Sequence, residues 1–406
     1  VLSPERRTRG DLIVAALIAV GVLVLVGAVW FTGDARGSTS VLADTPLVAP
    51  PSAAAAPDAV ATRWEVPADA DFPPVVADGA IVVADDAHTI TGRDPETGQV
   101  AWTYRRDREL CAVAGQWTSV VAFYRDDRGC GQVVRLDGQT GRVTATRSSE
   151  MDGQITVTGD GTHLVVMGPT RVEVLRSDLV RTLEYGRVPT PAESGRQPRD
   201  GCTFLSGRSL DKRLALLERC PGEEFLRLTV TEPSPDDSTE PKDIVSAERT
   251  ELPIDSTDAR VIALDGSRTA VAVAASGDQP SRLYVYDDGA VPASGMQPLP
   301  RITSVEDDVV DAGTVRSWWS GDATAALPDG GTTVSWMRED TLGPGVAMAG
   351  SLLVPVPGGI TVTDPSTGTD SRVIPVDRAG WTGPVASAVV GRMVIEQRGD
   401  VVVGLG

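Results

Sequence analysis

Three stretches far apart in the chain carry one five-residue signature, D-x-x-T-G: "DPETG" at 94–98, "DGQTG" at 137–141 and "DPSTG" at 364–368. Glycine closes such a turn because it enters the left-handed region without a steric penalty, and proline presets φ at the first turn position. Each copy lies between short strand-like runs, as in "TITGR" before and "VAWTY" after the first. That is a hairpin, and a hairpin that recurs marks a tandem array.

Aligned on its glycine-closed turns, the chain divides into blocks of about 43 residues, a period that fits four-stranded propeller blades. The blocks start near residues 73, 111, 154, 202, 260, 309 and 345, and each offers runs of five to seven residues rich in Val, Leu, Ile and Thr. No segment beyond residue 62 sustains a helical period, so the fold class is all-β. The last block, "PVASAVVG", "RMVIEQRG" and "DVVVGLG" at 384–406, has three strands where four are needed. "TRWEVPA" at 62–68 resembles the outer strand "VAWTY" and is expected to supply the fourth, closing an eight-bladed β-propeller without exposed edges.

The first residues follow another rule. Residues 12–31, "LIVAALIAVGVLVLVGAVWF", are uncharged and long enough for one membrane-spanning helix. Arg6, Arg7 and Arg9 precede it, which places 1–11 in the cytoplasm and the propeller outside the cell or plasma membrane. A cleaved signal peptide is the opposing reading, although this apolar run exceeds the usual length of such a core. The domains expected are therefore 1–11, the helix 12–31, an Ala/Pro-rich spacer 32–61 reaching tens of ångströms from the bilayer, and a propeller 62–406. The four cysteines agree with an oxidising location. Cys111 and Cys130, and Cys202 and Cys220, lie 19 and 18 apart with no C-x-x-C spacing. Each pair has one member opening an innermost strand and one just past the second strand, so two disulfides are the economical assignment, and four unpaired cysteines the alternative. A net charge of −19 argues against nucleic acid as a partner.

The strand, D-x-x-T-G turn and following strand with Trp102 resemble the repeats of PQQ-type propellers, the resemblance spreading as a degenerate array over 62–406. The stretches around Thr146 and Ile374 lack the tryptophan. That family includes quinone-dependent dehydrogenases and the non-enzymatic scaffold of outer-membrane protein assembly. The layout of an Arg-flanked anchor, divergent propeller and "YRDDRGCGQV" at 124–133 also resembles membrane-anchored envelope proteins of actinobacteria, some associated with assembly of lipomannan and its arabinosylated forms. The resemblance implies a non-catalytic scaffold in cell-envelope biogenesis, docking to membrane-embedded enzymes or transporters.

The rival classes are a quinone-dependent oxidoreductase or lyase and a glycan-binding envelope sensor. Quinoprotein dehydrogenases resembling this fold carry adjacent cysteines and a calcium site with an amide ligand; this chain has no adjacent cysteines and no asparagine. His88 and His163 stand outside metal-binding spacings. No cofactor, metal or catalytic residue is therefore assigned. The contact candidates are Asp126, Asp127 and Arg128 on a loop stiffened by Cys130, and Arg316 with Trp318 and Trp319, since alternation should expose one indole to a sugar or a partner. The acidic runs at 231–243 and 306–311 read as a disordered hairpin insertion and a solvated connector.

Overall fold

The computed structural model describes residues 8–32, 37–188, 197, 199–244, 251–252, 258–287, 292–300, 302 and 308–406. Among the described residues one helix, α1 (Arg9–Thr32), precedes eight antiparallel sheets. Blade one runs from its innermost strand outward through Val75–Ala77, Ala80–Asp86, Thr89–Arg93 and Val100–Arg106. Blades two to seven occupy 110–148, 156–186, 203–252, 259–298, 308–339 and 346–375. Blade eight has Val385–Val390, Met393–Arg398 and Val401–Leu405, and Thr62–Pro67 is its outermost strand. The register runs from Thr62↔Leu405 to Pro67↔Val401, so the expected closure of the ring is observed. First strands of neighbouring blades touch from blade seven through eight and one to blade five, which sets them around a central axis.

The D-x-x-T-G turns show why that motif recurs. In each, the aspartate Oδ1 accepts the backbone N–H and hydroxyl hydrogen bonds of the turn, and the glycine N–H donates to the aspartate carbonyl at 2.8–2.9 Å. Gly98, Gly141 and Gly368 take φ of 70°, 72° and 72°. A tryptophan from the preceding blade lies against each glycine: Trp64 on Gly98, Trp102 on Gly141 and Trp336 on Gly368, where an added Cβ would sit 2.7 Å from the indole. The indole N–H groups donate to the carbonyls of Pro95, Gly138 and Pro365 at 2.8–2.9 Å. Turn and tryptophan therefore form one joint between neighbouring blades. A tryptophan near Thr146 would need such a turn in blade three, where "RSDLV" at 176–180 stands instead.

Two sequence expectations need correction. The segment 32–61 is no free spacer where it is described, because Ser38–Val41 pairs antiparallel with the outer strand of blade one, from Ser38↔Arg106 to Val41↔Thr103. The chain then crosses the ring. The N–H groups of Ala43 and Leu47 donate to the carbonyls of Thr140 and Gln139, and Ala53, Ala56 and Val60 pack against the apolar cluster of blades seven and eight. Arg372 donates to the carbonyls of Ala56 and Pro57 at 2.6 and 3.0 Å. Small and apolar side chains make this strap possible, since they fit over turn glycines: a Cβ on Gly79 would lie 2.4 Å from Ala49, and one on Gly391 2.8 Å from Pro50. The acidic insertion 231–243 is also ordered. Glu184 N–H donates to Ser238, Thr182 Oγ1 to Pro233 and Glu232 N–H to Lys242, which folds the insertion back on itself and onto blade three.

Candidate functional site

Each blade has two ends. Strands one and two, and strands three and four, are joined at the turn end; strands two and three, and successive blades, are joined at the linker end. The strap crosses the turn end over blades two, one, eight and seven, as its contacts with Thr140, Gly79, Gly391 and Arg372 show. The opposite half, blades three to six, holds a cavity of about 120 Å³ lined mainly by the first strands and turns of those blades. Asp160, Arg208, Ser209, Asp311, Arg316 and Asp329 are among the residues lining it.

The two guanidiniums there are fixed on one strand. Arg208 Nε donates to the Val261 carbonyl and Arg316 Nη1 to the Leu264 carbonyl, both at 2.9 Å, and Asp329 lies 3.9 Å from Arg316. Burial opposes ionisation of Asp160, yet hydrogen bonds from His163, Thr162 and Ser209 hold its carboxyl below the usual range. His163 is buried, with Nδ1 3.3 Å from Asp160 Oδ2 and Nε2 3.2 Å from Ser234 Oγ. Asp160, His163 and Ser234 thus stand in the order of an acyl-transfer triad. Local geometry also gives them a structural task, because Asp160 accepts the backbone N–H bonds of its own turn at 2.8 and 2.6 Å and Ser234 belongs to the insertion folded over blade three. The sequence reading missed this series: its partners are 71 residues apart, and only the docking of the insertion joins them.

The predicted contact residues separate into two places. Arg316 lines the cavity, but Trp318 and Trp319 are 0% and 7% exposed, so the expected surface indole is not found. The reason is that neighbouring blades cover both faces of this strand, and alternation leaves no solvent side. Trp318 packs with Ile262, Leu283 and Leu327 at the junction of blades five and six. Asp126, Asp127 and Arg128 form a hairpin of blade two at the linker end. Asp126 accepts from the Arg128 N–H and from Gln132 Nε2 at 2.8 and 2.6 Å, whereas Asp127 and Arg128 face solvent. Of the acidic run 306–311, residues 306 and 307 lie outside the described residues, and Asp308–Asp311 is the first strand of blade six.

Both disulfides, Cys111–Cys130 and Cys202–Cys220, are formed. Glu218 lies beside the second, with all three ligand atoms within 4.8 Å, but sulfurs in a disulfide offer no thiolate to a metal. Burial pushes the Glu218 carboxyl up to about 7, against the opposing hydrogen bond from Thr229 and the charge of Arg199.

The ring, its turn-and-tryptophan joints and its closure define an eight-bladed β-propeller with PQQ-type repeats, carrying one apolar N-terminal helix. Residues 53–197 match the family described as outer membrane protein assembly factor BamB. No curated protein sequence matches the chain. Among solved structures it is similar to BamB from Moraxella catarrhalis, with 13% identity over 85% of this chain and 97% of that one, at a TM-score of 0.48. It is also similar to PorZ, a surface component of the type-IX secretion system of Porphyromonas gingivalis, with 15% identity over 85% of this chain and 46% of that one, at 0.46. Sqt1 of Saccharomyces cerevisiae shares 9% identity over 89% and 98%, at 0.49.

Proposed function

We propose that this protein is a docking scaffold of cell-envelope biogenesis, anchored by residues 12–31 and working without catalysis outside the plasma membrane. The observation that carries the reading is the division of the turn end: half is occupied by the chain's own strap, and the other half presents, among the described residues, a cavity with fixed charges of both signs beside the insertion 231–243. Guanidiniums held by backbone carbonyls are set for recognition of a polar surface, and donation to two carbonyls of the one strand Ala259–Leu264 holds them at constant spacing. The arginines before the helix and the two disulfides support an N-in, extracytoplasmic topology. Anchoring confines the ring to the membrane surface, where weak contacts with a membrane-embedded enzyme or transporter suffice. Lipoglycan assembly is the favoured setting, on the resemblance of the anchor-and-propeller layout.

Cross-linking of the full chain in membranes, followed by affinity capture and mass spectrometry, tests this. Wild type should retain a set of envelope-biogenesis proteins that Asp329→Arg with Lys212→Glu loses, both positions being exposed at the open half. Identical recoveries from the two would remove the cavity face as the docking surface.

A second reading, acyl transfer by a serine hydroxyl, is favoured by the Asp160–His163–Ser234 series. Ser234 Oγ would attack an acyl carbonyl while His163 Nε2 takes its proton and Asp160 supports the imidazolium; the bond to the leaving alcohol or amine breaks as His163 returns that proton to it, and water deprotonated by His163 then hydrolyses the acyl-serine. A fluorophosphonate probe should label Ser234 in the folded full chain and fail on Ser234→Ala. No label on wild type discards this reading.

A further inference from the structure

The strap ties the end of the helix to one corner of the ring. Thr32 ends the helix, and Gly37 is already fixed to the propeller, since its carbonyl accepts the Asp107 N–H at 2.8 Å. Five Cα steps separate them, a reach of about 18 Å at full extension. Gly37 and Ser38 lie at the linker end of blade one, where Ser38 pairs with Arg106. The same corner holds the Asp127–Arg128 hairpin tip of blade two. It is stiff: Cys111–Cys130 joins that hairpin to the first strand, Arg125 pairs with Glu109 at 2.9 Å, and Arg128 Nη2 donates to Ser148 at 2.7 Å.

Resting on the anchored reading above, we propose that this blade one–two corner, residues 105–109 with 125–128, is the surface apposed to the lipid headgroups. Charge agrees. Leaving out Arg106, which is buried, the two segments carry four arginines against four acids, in a chain of net charge −19. An acidic headgroup layer repels most of this protein but not this corner. The cavity, at the other end of blades three to six, is then turned away from the bilayer, and a membrane partner that reaches it must project into the extracytoplasmic space.

Site-specific energy transfer to a headgroup-labelled lipid measures the orientation. The four native cysteines are all in disulfides, so an introduced cysteine is labelled selectively. The full chain is reconstituted in vesicles containing phosphatidylglycerol, with a donor at Asp127→Cys, Asp278→Cys or Lys212→Cys, all exposed hairpin positions. With a leash of about 18 Å, transfer at 127 should exceed that at the other two positions by about twofold or more. Inserting a Gly/Ser segment of about 20 residues between Arg36 and Gly37 should level the three values. Equal or reversed transfer in chains that co-float with vesicles overturns the orientation, as does a ranking that survives the insertion. Failure to co-float overturns the anchored reading itself and removes the proposal with it.

Discussion

Replacing Gly141 by alanine separates backbone strain from the joint between blades. At φ 72° an alanine pays about 1 kcal/mol for the left-handed conformation. Its Cβ would also stand 2.7 Å from the Trp102 ring and 2.8 Å from its Cβ, with Trp102 fully buried and bonded to Gly138 at 2.8 Å. Nothing there can yield without moving the indole, so overpacking adds about 1–3 kcal/mol. Gly358 is the control: φ is 81° and no atom lies within 4 Å of an added Cβ, so Gly358→Ala should cost the strain alone, about 1 kcal/mol. Urea unfolding followed by circular dichroism should therefore place Gly141→Ala about 2–4 kcal/mol below wild type and clearly below Gly358→Ala. Equal losses for the two variants would refute the claim that turn glycine and tryptophan work as one joint.

Removing both cysteines of either disulfide as alanines should lower stability by about 3 kcal/mol, read from the urea midpoint, because each bond closes a loop of 18 or 19 residues; no change would remove the loops from the stability argument. Glu218 supplies a pH dependence. Its carboxyl is raised to about 7 in the fold, so its contribution is full below the ordinary 4.5 and is lost as pH climbs through about 7. That loss amounts to about 3 kcal/mol and should vanish in Glu218→Gln; an unchanged profile in the variant assigns the slope elsewhere. Arg372→Ala removes two hydrogen bonds to the strap and the pair with Asp58, so amide exchange at 53–60 should rise by about tenfold while blades two to five stay protected, and unaltered exchange would mean that the packing of Ala53, Ala56 and Val60 suffices.

The parts of this fold legible in the sequence were those with a local cause. A D-x-x-T-G turn is held by one aspartate and one left-handed glycine, so five residues announce it. Trp64 was legible as a strand mate for Val401–Leu405 because its neighbourhood repeats that of Trp102. Trp336 was not legible, since its role depends on a turn in the next blade and its own block has no such turn. Assigning turn and tryptophan to the same blade was the error, and pairing each turn with the preceding blade would have found all three joints. Trp318 and Trp319 misled for a related reason: alternation implies one buried face, and a strand between blades has two.

Residues 38–61 were harder still. Alanine and proline without periodicity are what a free linker contains, and they are also what a chain needs to lie flat across turn glycines such as Gly79 and Gly391. Composition cannot separate the two, because the deciding partners, Thr140, Gln139 and Arg372, are far away in sequence. The difference matters for function. In the anchored arrangement proposed above, a free linker would let the ring sample every orientation above the bilayer, whereas a strap leaves only residues 33–36 between the helix and fixed structure, so the fold of the propeller and its proposed presentation at the membrane depend on the same segment.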